Sequence, residues 1–172
     1  MTGRERWLVV LRHAKSDYPR GVPDHQRPLS GKGRRNAQVV GEWFRDEGPI
    51  PQLALCSDAL RARHTWEIAR LAVVPAPQTR LCAELYGGGP EVVLALAGGI
   101  DDSVHVATVI GHEPTMTATV LLLAGADSDP TALSRLLVKF PTSGVAVLHF
   151  SGPWHELAAG CANLETFAVP RA

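Results

Sequence analysis

The chain has 172 residues, and its 17 basic and 17 acidic residues leave a formal net charge of +0. A chain of this length suits one domain spanning 1–172 and buries about 70% of its unfolded surface, so a core forms without staples. Local patches aside, balanced charge argues against a nucleic-acid stripe or a basic membrane face. Neither nucleic acid nor membrane is an expected partner.

Trp7 to Leu11 is a continuous apolar run, the pattern of a strand covered on both faces, and it is followed at once by Arg12, His13, Lys15 and Ser16. A polar loop covers 17–28. Ser30 is a candidate N-cap for a helix with Ala37, Val40, Gly41 and Phe44 on one face, closed by Gly48 and Pro49. Gln52 to Cys56 reads as a short strand, and Ser57 or Asp58 as the cap of a helix running to about Ala72. Thr79 to Cys82 is a third strand candidate. Pro90 opens a helix through Leu96, stopped by Gly98 and Gly99.

Val104 to Ile110 is the clearest strand, being β-branched and apolar. It runs into Gly111-His112 and a helix over 113–124 with Pro114 at its start. Gly144 to Phe150 is a further strand, and Trp154 to Val169 has the character of a hairpin. The alternation predicts a three-layer α/β/α sandwich on a mostly parallel sheet. Cys56, Cys82 and Cys161 share no metal-ligand spacing, and no apolar run is long enough for a signal or membrane segment. Reduced thiols and a cytoplasmic location are the expectation.

Parallel strands place their carboxyl ends on one edge of the sheet, where α/β proteins bind ligands. Arg12 and His13 follow the first strand, Arg61 falls in the helix after the second, and Gly111-His112 ends the best strand. Two arginines, two histidines and two helix N-termini on one edge have the composition of a phosphate pocket. Gly111 is expected to let backbone approach the ligand closely. Arg63 and His64 read as a solvated helix face, and His25, His105, His149 and His155 as surface or strand residues. A zinc site from His13, His112 and a cysteine lacks a short ligand pair. Gly87-Gly88-Gly89 has no following Lys-Ser/Thr and is not a P-loop.

The segments "LRHAKS", "CSDALRARHT" and "VIGHEPTM" resemble the three signature segments of the histidine phosphatase superfamily, with its phosphoglycerate mutase-like fold. The first departs from the usual Arg-His-Gly by carrying Ala14. Ser57, Arg61, Ala62 and Thr65 match the second segment, and Gly111-His112 the third. "RPLSGKGRRNA" and the late Thr142-Ser143 are similar to the SixA-type phosphohistidine phosphatases within that superfamily.

The resemblance implies a phosphatase in which His13 is the nucleophile and Arg12, Arg61 and His112 bind the phosphoryl oxygens. Ser16 and Lys15 are candidates for the pocket wall. It implies no metal and no cofactor. The implied substrate is a phosphohistidine-bearing protein such as a phosphotransfer domain. Glu84 in "CAELYGGG" is the first candidate for a general acid, with Asp17, Asp24 and Glu113 behind it. The short stretch between Arg61 and His112 leaves no room for a large lid, so an open pocket is expected. Two rivals stand beside this reading: a broad phosphatase for small monoesters or nucleotides, and a phosphate-binding regulatory module without turnover.

Overall fold

The computed structural model describes residues 4–172. Six strands form one sheet: β1 (Glu5–Arg12), β2 (Leu53–Ser57), β3 (Gln78–Cys82), β4 (Val106–Gly111), β5 (Val145–Ser151) and β6 (Asn163–Ala168). Their order is β3-β2-β4-β1-β5-β6. The pairs β3–β2, β2–β4 and β4–β1 are parallel, whereas β5 runs antiparallel to both β1 and β6. β1 and β4 therefore lie side by side and end together, with Arg12 in register with Gly111.

Five α-helices cover the sheet: α1 (Gly31–Asp46), α2 (Leu60–Ala69), α3 (Pro90–Gly98), α4 (Thr115–Leu123) and α5 (Pro130–Val138). Strand periodicity decides the layers, because successive side chains of β1 point to opposite faces. Leu8 and Val10 join Val93, Met116, Val120 and Leu136 under α3, α4 and α5. Val9 and Leu11 join Val40, Phe44, Ala62 and Trp66 under α1 and α2. All four β1 side chains are fully buried, each contributing roughly 1.5–3 kcal/mol by its removal from water. The sandwich is three-layered as expected. No helix among the described residues is long and apolar enough to cross a membrane.

Three details differ from the expectation. The helix α5 was not anticipated, although Asp129 accepts from Ala132 N as a side-chain N-cap and Pro130 opens the helix. The segment read as a hairpin over 154–169 holds a short 3-10 turn (Trp154–Glu156) and then β6, whose partner is β5. Neither Ser57 nor Asp58 is the N-cap of α2. That position falls to Ala59, which has no capping side chain; Ser57 Oγ accepts from Ala59 N–H at 3.3 Å, ahead of the helix.

Candidate active site

With Leu8 to Leu11 sealed in the core, β1 can present polar side chains only where it leaves the sheet. There Arg12 N–H donates to Gly144 O and His13 N–H to Gly111 O, both at 3.1 Å. The N–H of Ser143 reaches the carbonyls of Arg12 and His13 at 3.1 and 3.2 Å. Ser143 does this with φ 63, a left-handed conformation unusual for a residue with a Cβ. His13 is thus gripped by β4 on one side and by the turn before β5 on the other.

The His13 ring lies 2.7 Å, through Nδ1, from the carbonyl of Ala14. A carbonyl only accepts, so Nδ1 carries the proton and Nε2 keeps its lone pair. Burial drives the His13 pKa down to about 3, against the opposing bond to Ala14 and with further help from the nearby His112, Arg61 and Arg12. The ring is a neutral base at ordinary pH. Ala14 is fully buried against Leu29 and Ala37, so its methyl fits where the superfamily has glycine. Its N–H donates to Thr65 Oγ1 at 2.9 Å, and that hydroxyl donates to Arg61 O at 2.6 Å. Thr65 ties the His13 loop to α2. On the other flank, a Cβ on Gly33 would stand 2.0 Å from Lys15 O, so only glycine lets α1 pack against this loop.

Arg61 projects from the first turn of α2 and is almost wholly buried. Its Nε donates to His13 Nε2 at 3.3 Å. Its Nη1 and Nη2 donate to Asp24, to the backbone carbonyl at 2.7 Å and to carboxylate Oδ2 at 3.1 Å. Arg12 donates through Nη1 to Phe140 O at 2.8 Å, and its Nε is buried without a protein partner. Burial lowers the Arg12 pKa.

His112 completes the group, its ring centroid 5.1 Å from that of His13. Its Nε2 shares a hydrogen bond of 2.8 Å with Ser57 Oγ, while its Nδ1 has no protein partner. Burial, and then the charge on Arg61, bring its pKa to about 4. Gly111 does not line the cleft. A Cβ there would meet the Met116 side chain instead, so this glycine serves packing under α4.

These residues open onto a cleft of about 680 Å³. Its walls carry seven cations (Arg12, Lys15, Arg27, Lys32, Arg61, Lys139 and Arg171) and, among the described residues, one carboxylate, Glu113. Ser16 lines it too, its hydroxyl accepting a short hydrogen bond from Arg27 Nη2. The structure thus brings together Arg12, His13, Ser16, Arg61 and His112, with Lys15 beside them. It does not bring Glu84. That carboxylate is exposed on a 3-10 turn (Ala83–Leu85) outside the cleft wall, while Tyr86, two residues later, sets its ring against that of His112 and its hydroxyl on Asp24.

The two oxygens of Glu113 accept from Thr117 N and Thr117 Oγ1 at 2.9 and 2.6 Å, which caps α4. Arg63 and His64 are half-buried rather than solvated, and Arg63 lines a separate hollow beside Cys56 and Trp66. His25 is also more than a surface residue. It bonds Asp58 at 2.8 Å and meets the Tyr86 ring edge-on. Zinc ligation by His13, His112 and a cysteine finds no support: among the described residues no three His, Cys, Asp or Glu side chains are grouped to hold a metal ion.

Known proteins resemble this chain in sequence and in fold. The model for the histidine phosphatase superfamily (branch 1) matches residues 8–87. The uncharacterized protein Rv1276c of Mycobacterium tuberculosis is 43% identical over 162 residues, which is 94% of this chain and 100% of that one. A solved structure from Nakamurella multipartitia, to which the name phosphohistidine phosphatase SixA has been assigned, is 34% identical, with a TM-score of 0.88 and full coverage of both chains. The chain belongs to the histidine phosphatase superfamily.

A second protein assigned the SixA name, from Agrobacterium tumefaciens, is 28% identical with a TM-score of 0.78, covering 96% of this chain and 99% of that one. The protein histidine phosphatase SixA in complex with tungstate matches at 20% identity and a TM-score of 0.77, over 95% of this chain and 97% of that one, which speaks for the fold alone. The SixA-like histidine phosphatases are thus the relatives against which its cleft is to be read, and they support a phosphatase. The contacts that hold the groups around His13 carry no direct signal in the sequence. Ser57 reads as a helix cap and a signature match but not as the partner of His112, and the pairing of Asp24 and Tyr86 with Arg61 joins segments far apart in the chain.

Proposed function

We propose that this histidine phosphatase hydrolyses phosphohistidine carried by a protein, through a phosphorylated His13. The observation that carries the reading is the charge inventory of the cleft: seven cations against one carboxylate, itself spent on capping α4. Such a site binds a phosphoryl dianion strongly but holds no carboxylic acid poised to protonate an ester oxygen. A P–N bond makes a smaller demand for that proton than a P–O bond.

In this scheme the Nε2 lone pair of His13 attacks phosphorus. The P–N bond to the substrate imidazole breaks, and the departing ring takes its proton from solvent. Arg12, Arg61, Ser16 and His112 balance the charge on the three non-bridging oxygens, the electrostatic role that dominates phosphoryl transfer. His112 is neutral in the free site, and an incoming dianion favours its protonation. Water then attacks the phosphoenzyme, the His13–phosphorus bond breaks, and phosphate leaves with the neutral ring restored. Charge neutralisation by arginine and histidine makes the scheme metal-independent, so a chelator leaves turnover intact.

The test compares kcat/KM for a phosphorylated phosphotransfer domain with kcat/KM for small phosphate monoesters on one preparation. The protein substrate is expected to be hydrolysed more efficiently. A cleft of this volume also lies in the range of small-molecule sites, which keeps a monoester phosphatase as the second reading. A sugar phosphate or nucleotide turned over faster than the phosphoprotein would establish it.

A further inference from the structure

A guanidinium has two edges able to make paired hydrogen bonds, an end-on edge between Nη1 and Nη2 and a side-on edge between Nε and one Nη. In Arg61 the end-on edge is taken. Asp24 accepts there with both its carbonyl and its carboxylate, at 2.7 and 3.1 Å. The side-on edge therefore faces His13, with Nε 3.3 Å from His13 Nε2.

Asp24 is itself held from several directions. Tyr86 Oη donates to its Oδ2 at 2.6 Å and Arg27 Nη1 to its Oδ1 at 2.8 Å. The next residue, His25, bonds Asp58 at 2.8 Å, just ahead of α2. The 3-10 turn carrying Asp24 (Asp24–Gln26) is thus fastened to α2 at two points and to the β3–α3 connection at a third. Although Asp24 is 54% exposed, the bond from Tyr86, then that from Arg27, and Arg61 itself hold its carboxyl far below the usual range. It is an anion throughout the working pH range. It has no proton to give.

We infer that Asp24, secured by Tyr86, is the positioning residue of the site. By occupying the end-on edge of Arg61 it aims the side-on edge at the phosphoryl group in transit to His13. The inference rests on His13 as nucleophile but not on the identity of the substrate. Binding an anion needs the charge of Arg61, whereas stabilising the transition state also needs its direction. A misplacement near 1 Å costs on the order of 10²-fold in rate.

Asp24→Ala should therefore lower kcat for para-nitrophenyl phosphate on the order of 10²-fold, while inorganic phosphate inhibits at least as well as in the wild type. Asp24→Asn, which keeps an oxygen facing Tyr86 and Arg61, should recover most of the rate. Tyr86→Phe, on an exposed loop and safe for folding, should show a smaller loss of the same kind. The decisive measurement is the double-mutant cycle with Arg61→Ala, in which Asp24→Ala should add no further loss. Additive losses, or phosphate binding that weakens in step with kcat, would overturn the inference. Because the cycle is read on a small ester, it stands apart from whether a phosphoprotein is the better substrate. Absence of a trapped phosphoenzyme in the wild type would count instead against the nucleophile.

Discussion

Ser57 Oγ and His112 Nε2 lie 2.8 Å apart across the ends of β2 and β4, both within the protein interior. This bond fixes the plane of the His112 ring, because no other protein group pairs with the ring nitrogens among the described residues. Ser57→Ala leaves the backbone of β2 untouched and frees the ring to rotate. It should reduce kcat about tenfold or more by the same misplacement argument, and lower stability by about 1–3 kcal/mol because the Ala59 N–H and His112 Nε2 lose their buried partner. A rate within twofold of wild type would show that packing alone orients His112.

The pair Arg61 and Arg63 gives an internal control on the placement of the site. His13→Ala should abolish turnover and remove an acid-labile phosphoenzyme trapped by rapid quench. Arg61→Ala should lose on the order of 10²-fold or more in kcat, the scale for deleting one preorganised charge-stabilising donor. Arg63→Ala, two residues on and facing another hollow, should leave kcat nearly unchanged. Equal losses at both arginines would mean that the reaction takes place elsewhere.

The depressed histidines predict a stability profile. In the unfolded chain both take protons near the ordinary imidazole value of 6.5, whereas in the folded protein His13 and His112 resist protonation until about 3 and about 4. Below pH 6.5 the unfolded state binds more protons, so stability falls as pH falls and is level above that value. The slope is at most about 1.4 kcal/mol per pH unit for each histidine. Carboxyls depressed in the folded state contribute at lower pH, Asp24 from an ordinary value of 3.8 and Glu5 from 4.5, so the window from about 6.5 to 5.5 belongs to the histidines. Urea midpoints measured across it should decline, and His13→Gln should roughly halve the slope. A flat profile would show that the rings are hydrated in the folded state.

Much of the site was legible because a parallel sheet turns sequence order into spatial coincidence. Once β1, β2 and β4 are recognised as parallel, Arg12, His13, Arg61 and His112 must share an edge. What side chains do beyond a strand end is harder to read. Glu84 has the right residue type in the right loop, but one 3-10 turn buries Leu85, exposes Glu84 and sets the Tyr86 ring beside His112 and Asp24. Asp24 could be named only as a weak acid candidate, since its hold on Arg61 spans 37 positions of chain. The helix α5 was a missed signal rather than a hidden one, for Asp129-Pro130 followed by Leu133, Leu136 and Leu137 carries a cap, an N1 proline and helical spacing.

The cluster of cations around the cleft has a consequence for the whole particle. Seven of the 17 basic residues gather at one mouth, with Glu113 in its wall and Asp24 paired to Arg61 and Arg27, so the rest of this formally neutral chain is net negative. The excess of positive charge is thus concentrated at the candidate site. A cluster of like charge draws anions toward the mouth, an effect that fades as added salt shortens the Debye length. Capture of a phosphorylated ligand is therefore fastest in dilute buffer, even though an isoelectric point near 7.1 gives no hint of such sensitivity.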